Sequence, residues 1–522
     1  MKTNVGNENQ RQELFKTIFA IADQLRNKVD GWEFKSYILG FLFYRYLSQK
    51  FTNEINENNR KNDANFNYEL ISDNMINDQL KATLGQSKGY FIYPSQLFQN
   101  VAKIPENQIE SLNEILAANF RAIEESSTAF GRGSLEGLFD DIQLNSDKLG
   151  KQTIDRNRHL LKVIKTINDL DLGDFSNKNI DVFGDAYEYL IRMYASNAGK
   201  SGGEFYTPQE VSQLLFELAS VNKEQISTIY DPTCGSGSLL LRAPKEINNQ
   251  SIKFYGQEVN ITSYNLARMN MFLHNVHYDN FDIKCDDTLL NPQHLNQKFD
   301  IIVSNPPYSI KWEGSDNPTL LNDPRFNVAG ALAPKNKADL AFIMHIVSQL
   351  NAGGQAAIVC FTGVMHRKGA EQKIRKYLVD QNLVKAIIQL PENLFYGTSI
   401  STAIMVLSKA KNDNNVIFID ASNEFQKITN NNQLNREHIA KIVNHFANQI
   451  EDEHFAKVVT NQVIASRDYD LSVNTYVKKP VEELNIDIDE LEAQIEITVQ
   501  NIERLRREIK EITQALKQNL KK

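Results

Sequence analysis

Cysteine and tryptophan are scarce, with three of the first and two of the second in 522 residues. Cys234, Cys285 and Cys360 are widely separated and form no CxxC pair, which argues against a disulfide framework and against a structural zinc site. Long apolar runs are also missing. The longest, Tyr37 to Tyr44 in YILGFLFY, is far short of the roughly 20 residues a membrane helix needs, so membrane spanning is excluded. The opening MKTNVGNENQRQE has no apolar segment behind Lys2, so no cleaved secretory signal is expected and a cytoplasmic location is. Positive charge is not in excess: 57 Lys+Arg stand against 65 Asp+Glu, a net charge of −8. A chain that holds DNA unaided is more often basic, because that affinity comes largely from counterion release. Any nucleic-acid contact must therefore be a local patch or be shared with a partner.

What is present is a folded-protein composition, 41% hydrophobic and 23% charged, in a chain long enough for two or three domains. Apolar residues at helical spacing (Leu14, Ile18, Ile21, Leu25, then Tyr37, Phe41, Tyr44, Leu47) predict two helices divided by the turn signal Asp30-Gly31. Helical patterns continue to Ile167, and residues 1–165 are expected to form an N-terminal helical domain. Near residue 200 the texture changes. β-branched runs at Ile226–Tyr230, Ile252–Gln257, Phe281–Cys285, Phe299–Ser304, Gln355–Phe361, Val384–Leu390 and Thr402–Ser408 alternate with helical stretches, predicting an α/β domain over 166–478. Its sheet should be mainly parallel, with ligands at the carboxyl ends of the strands and an antiparallel strand closing it. From 479 to 522 the residues Ile488, Leu491, Ile495, Val499, Ile502, Leu505, Ile509, Ile512, Leu516 and Leu520 form an apolar seam at coiled-coil spacing, suited to a partner helix.

The chemistry concentrates in a few motifs. In DPTCGSGSLLL, which runs from Asp231 to Leu241, Gly235 and Gly237 permit a sharp turn after a strand, opening a helix, as a nucleotide-binding fold requires in its first loop. Glu258 ends the next strand, roughly 20 residues on, where an acid reaches ribose hydroxyls. Leu240 stands where the dinucleotide fingerprint has its third glycine, and no GxxxxGK[ST] loop occurs, so NAD and ATP lose ground to an adenosine ligand without a pyrophosphate, such as S-adenosylmethionine. In CDDTLL, Asp287 is placed to accept from an adenine amine, with Asp286 as its competitor. In GGEFYTPQEV, Thr207, Pro208 and Glu210 read as a capping box, and the helix start behind Phe205 and Tyr206 suits a carboxylate.

The most specific signal is Asn305-Pro306-Pro307-Tyr308 after the strand FDIIVS. Two prolines force an extended path, leaving the Asn305 side-chain oxygen and the Pro306 carbonyl to accept both hydrogens of an exocyclic amine while Tyr308 offers a stacking face. No metal is expected, and His274 and His277, on a predicted helix, read as structural. Ser309 to Lys337 reads either as a loop over the substrate or as an ordinary surface excursion. The cluster Arg367, Lys368, Lys373, Arg375 and Lys376 reads more readily as a solvated helix face than as a phosphate patch.

The ordered set EFYTP, DPTCGSG, Glu258, CDDTL and NPPY resembles the methyltransferases that modify adenine at N6 in DNA. With VDGWEFKSYILGFLFYRYLS near the start and the helical tail at the end, the chain is most similar to the modification subunit of type I restriction–modification systems, over nearly its whole length. The resemblance implies a Rossmann-like, S-adenosylmethionine-dependent domain that flips adenine out of the duplex. It places Glu204, Phe205, Tyr206, Thr207, Pro208, Gln209, Asp231, Gly235, Ser236, Gly237, Ser238, Glu258 and Asp287 at the cofactor, and Asn305, Pro306, Pro307 and Tyr308 at the target base. CDDTL departs from the Gly-Asp-Thr-Leu more usual there. Partners are implied as well: a specificity subunit bound by two modification subunits, a restriction subunit for cleavage, and double-stranded DNA. A protein glutamine methyltransferase and a non-catalytic cofactor-binding scaffold are the competing readings.

Overall fold

The β-branched runs become the strands of one nine-stranded sheet in the computed structural model, in the order β11-β8-β6-β7-β5-β4-β1-β2-β3. The structure describes residues 33–170, 184, 187–191, 207–242, 251–395, 400–428, 431–478 and 488–519. The strands are β1 (Thr228–Asp231), β2 (Lys253–Glu258), β3 (Phe281–Cys285), β4 (Phe299–Ser304), β5 (Leu350–Phe361), β6 (Val384–Gln389), β7 (Thr402–Ser408), β8 (Asn415–Asp420) and β11 (Ala456–Thr460), with β9 (Gln426–Ile428) and β10 (Asn431–Gln433) forming a separate hairpin. β1 to β5 pair in parallel, and β7 is antiparallel to both β5 and β6, closing the sheet as its sequence suggests. β8 and the edge strand β11 extend the sheet beyond the seven expected strands. Strand order reverses between β1 and β4, and the crevice outside their carboxyl ends is where such a sheet holds its ligands.

The N-terminal part is helical: α1 (Glu33–Asn59), α2 (Asp78–Lys88), α3 (Leu112–Phe130) and α4 (Thr153–Asn168). The predicted helix over Leu14 to Leu25 and the Asp30-Gly31 turn lie outside the described residues. Every residue from Tyr37 to Ser48 is buried, so this part of α1 has no solvent stripe and runs through the middle of the bundle. α1 also continues to Asn59, into what reads in the sequence as a polar connection, because Asn56 is buried and accepts the Tyr68 amide through its side chain.

The helical part and the sheet share one interior. Helix α5 (Gln209–Ser220) precedes β1, and helix α6 (Ile261–Leu273), which follows β2, contributes Met269, Phe272 and Leu273 to the core of the helical bundle. Tyr46 donates to the Phe272 carbonyl, and the buried Arg268 donates to the carbonyls of Gly133, Ser134 and Glu136 at 3.3, 2.9 and 2.8 Å. Residues up to Val477 accordingly form a single compact unit, and Lys478–Lys522 form a second. The second carries the long helix Ile488–Asn519, on which Leu491, Ile495, Val499, Ile502, Leu505, Ile509 and Ile512 are each about half-exposed. Among the described residues no helix is long and apolar enough to cross a membrane.

Two local expectations are corrected. His274 and His277 do not share a helix: α6 stops at Leu273, leaving His274 as its cap and His277 at the start of a 3₁₀ turn. Arg375 is no surface cation. It is 1% exposed and donates to the carbonyls of Val364 and Tyr469, tying down the helix Ala370–Asp380. The described residues after the glycine loop form a 3₁₀ turn, Leu240–Arg242, and the stretch where the expected helix would continue lies outside the described residues.

Candidate active site

The β1 loop is built on Asp231, a fully buried residue whose Oδ1 accepts the Thr233 amide at 3.0 Å. Gly235 and Gly237 sit at φ of +54° and +77°, in the left-handed region that favours glycine. The turn brings the Gly235 amide to within 3.0 Å of the Glu258 Oε2, while Oε1 accepts the Asn260 amide at 2.9 Å. Glu258 at the end of β2 is therefore joined directly to the glycine loop. Asn270 of α6 supports the same loop by donating to the Ser236 carbonyl at 3.0 Å. Ser236 and Ser238 are both buried.

This region leaves polar atoms waiting. Among the described residues, Asp231 Oδ2, Ser236 Oγ and Asn270 Oδ1 are buried without a hydrogen-bond partner. Buried polar groups are nearly always paired, so three orphans around one glycine loop indicate a place where a polar ligand completes the bonding. Burial pushes the Asp231 carboxyl up to about 7, with the Thr233 and Ser304 contacts pulling the other way and the Glu258 charge adding to the rise. Burial raises Glu258 too.

Asp287 lies two residues beyond β3, half-buried, and its Oδ1 accepts the amides of Leu289 and Leu290 at 2.8 and 3.0 Å. Its neighbour Asp286 uses both oxygens: Oδ1 accepts the Asp287 amide, and Oδ2 accepts from the side chains of Asn291 and Gln293.

Across the crevice, Asn305 follows β4. Its Nδ2 donates to Thr207 Oγ1 at 3.1 Å, and its Oδ1 accepts the Tyr308 hydroxyl at 2.6 Å. The Tyr308 ring meets Phe395 edge-on, with centroids 6.5 Å apart and planes at 87°. Pro306 is buried and Pro307 half-buried. Thr233 and Ser304 join the two loops through hydroxyls 2.9 Å apart. Burial pushes the Tyr308 hydroxyl well above its ordinary value.

The capping box expected at Thr207, Pro208 and Glu210 is not formed. The helix Gln209–Ser220 starts one residue later, with Pro208 as its cap and no side-chain capping bond, and the Thr207 hydroxyl is spent on Asn305. Gln209 turns to Glu188, donating from Nε2 at 2.6 Å. Glu204, Phe205 and Tyr206 lie outside the described residues. The structure thus brings Thr207, Asp231, Gly235, Ser236, Glu258, Asn305 and Tyr308 around one crevice, and adds Thr233, Ser304 and Phe395. Phe395 had a faint signal as one of two aromatics in PENLFYG; the two hydroxyl residues had none, because only the pairing of β1 with β4 makes them neighbours.

A strand-order reversal, a glycine loop bridged to an acid on the next strand, and an Asn-Pro-Pro-Tyr turn on the facing strand define a Rossmann-like fold of the S-adenosylmethionine-dependent methyltransferase class. Comparison with known proteins narrows the class. Residues 178–484 match the family of N-6 DNA Methylase, and residues 14–167 match the HsdM N-terminal domain. The chain is 46% identical to the type I restriction enzyme MpnII methylase subunit of Mycoplasma pneumoniae, with 97% of each covered. It is 30% identical to the MjaVII methylase subunit of Methanocaldococcus jannaschii, over 92% of this chain and 80% of that one. A solved type I restriction–modification methyltransferase subunit from Streptococcus thermophilus superposes with a TM-score of 0.80 at 37% identity, covering 90% of this chain and 100% of that one. A chain solved to explain complex assembly in a type I R-M system shares the fold, with a TM-score of 0.61 at 19% identity. The protein belongs to the N-6 DNA methylase family, as a methylase subunit of the type I restriction enzymes.

Proposed function

We propose that this chain transfers a methyl group from S-adenosylmethionine to N6 of an adenine swung out of double-stranded DNA. The observation that carries the reading is the placement of Asn305 and Tyr308 at the end of β4, directly across the sheet reversal from the glycine loop of β1. S-adenosylmethionine would supply an electrophilic methyl on a sulfonium. The residues present suit it: the glycine loop permits close approach, Asp231 and Glu258 offer carboxylates to cationic and hydroxyl groups, and the unpartnered atoms of Asp231, Ser236 and Asn270 lack only a ligand. Asp287 is the better acceptor for an adenine amine, since Asp286 has both oxygens committed.

Asn305 and the Pro306 carbonyl then act on the target. The Asn305 oxygen accepts the Tyr308 hydroxyl and keeps a second lone pair for one amino hydrogen, while the Pro306 carbonyl takes the other. Held this way, the nitrogen lone pair is less delocalised into the ring and is aimed at the methyl donor, so the assistance is orientation and electrostatics.

A net charge of −8 favours sequence specificity supplied by another subunit, since a chain that holds DNA unaided is more often basic. In this reading two copies join a specificity subunit, the apolar seam of the terminal helix (479–522) serving assembly, and a restriction subunit adds cleavage, all in the cytoplasm where the DNA lies. The test is methyl transfer to unmethylated DNA with and without the specificity subunit, followed by mass spectrometry of the nucleosides. N6-methyladenine formed only with the subunit, and lost in Asn305→Ala while cofactor binding persists, is the expected result. Methylated protein glutamine, or no product with cofactor still bound, would replace this reading with one of its rivals.

A further inference from the structure

The excursion from Ser309 to Lys337 is closed at its base by backbone bonds from Ala338 to Ile310 and from Trp312 to Lys335. It leaves directly from Tyr308, and its first amide, Ser309, donates to the buried Asp339 carboxylate at 3.1 Å. A polar excursion of this kind would ordinarily be solvated, yet Arg325 within it is 5% exposed. All five guanidinium hydrogens have acceptors. Nε and Nη2 meet Asp323 Oδ2 at 3.0 and 2.7 Å, Nη1 meets the Thr288 carbonyl at 2.9 Å and His345 Nδ1 at 3.0 Å, and Nη2 also meets the Leu289 carbonyl at 2.6 Å. The Phe326 ring covers the guanidinium at 4.5 Å.

The partners matter more than their number. Thr288 and Leu289 immediately follow Asp287, whose carboxylate holds the Leu289 and Leu290 amides. The Thr288 hydroxyl donates to the Pro232 carbonyl at 2.5 Å, at the root of the glycine loop. Acceptance at Nδ1 fixes His345 as the neutral tautomer with its hydrogen on Nε2, which lies 3.2 Å from the Tyr230 hydroxyl on β1. One planar fork therefore spans the excursion, the loop of Asp287 and, through His345, the strand that launches the glycine loop. An ammonium has three donors and no plane, and could not hold this set.

We propose that Arg325 is a positioning residue through which the cofactor loops and the excursion beside the Asn305 motif order one another, a step that rests on the S-adenosylmethionine reading above. A ligand that settles Asp287 and its loop fixes the Thr288 and Leu289 carbonyls, and with them Arg325 and the turn from Asp323 to Gly330. Linkage makes the effect mutual, so a base seated beside the excursion strengthens cofactor binding in equal measure.

The experiment is hydrogen–deuterium exchange on the full chain with and without S-adenosylmethionine. The cofactor is expected to slow the amides of Leu289 to Asn291 and also those of Phe326, Asn327 and Gly330, which bond within the excursion turn, by about tenfold, a typical coupling. In Arg325→Lys the second group should lose this protection while the first keeps it. Asp323→Asn, which leaves the carbonyl contacts of Arg325 in place, should reduce it and serves if the lysine variant does not fold. Protection confined to the cofactor loops in the unaltered chain, or full protection of the excursion in a folded variant, overturns the proposal. A cofactor that slows no amide at all overturns the cofactor reading itself, and this proposal with it.

Discussion

Thr207 Oγ1 accepts the carboxamide nitrogen of Asn305 at 3.1 Å, which turns the carboxamide oxygen toward the Tyr308 hydroxyl. The residue that looks like a helix cap is thus the one that fixes the orientation of the Asn305 carboxamide in the crevice. Because it links the segment before the Gln209–Ser220 helix to the end of β4, it also ties the two halves of the crevice together.

Replacing Thr207 by valine preserves shape and removes the acceptor, leaving the Asn305 nitrogen unpaired. Such a loss costs about 1–3 kcal/mol, so kcat for methylation should fall by about tenfold to a hundredfold. Thr207→Ser should keep most of the activity. Steady-state kinetics of the two variants decide it: a valine variant as active as the unaltered chain would show that the hydroxyl does not position Asn305.

Asp231 predicts a pH dependence. Its folded value of about 7 lies above the value of about 4 expected when unfolded, so between these limits the native state holds the extra proton. Stability from this residue is fully present below pH 4 and is lost as pH rises toward 7, then levels off. Binding of a cationic ligand group should run the opposite way, tightening as Asp231 ionises through pH 7. Calorimetric titration of S-adenosylmethionine at pH 6, 7 and 8 should show this rise, and Asp231→Asn should flatten it. Burial raises Glu258 in the same direction.

Arg268→Ala removes a buried cation that serves three carbonyls of the helical bundle. Hydrogen bonds to a charged group contribute about 1.5–3 kcal/mol, and the orphaned carbonyls add to the loss, so chemical denaturation should show at least about 2 kcal/mol of destabilisation. Because Asn270 on the same helix holds Ser236, cofactor affinity should drop as well. Unchanged affinity would mean that the bundle and the glycine loop are energetically separate.

Truncation at Pro480 removes the terminal helix with its half-exposed apolar seam. Assembly with the specificity subunit, followed by size-exclusion chromatography, should weaken sharply, while S-adenosylmethionine binding stays at the level of the full chain. Loss of cofactor binding on truncation would contradict an assembly role.

The sequence by itself determined the class of fold and marked most of the residues that the structure gathers into the candidate site. Strand periodicity placed β3, β4 and β7 to the residue, and local chemistry picked out Asp231, Gly235, Glu258 and Asn305, because glycine turns, strand-end acids and proline-locked turns leave their mark within a few neighbouring positions. β8 and β11 stayed hidden, since three or four apolar residues beside a polar stretch do not separate a strand from a helix. Tertiary structure alone decided the rest. Thr207 and Asn305 are 98 positions apart, and Thr233 and Ser304 are 71 apart, so no local pattern could pair them. Arg325 lies in the polar stretch from Ser309 to Lys337 with nothing in its neighbours to mark it. Only the packing of its loop against the carbonyls after Asp287 buries it, and burial is what obliges each of its five donors to find an acceptor.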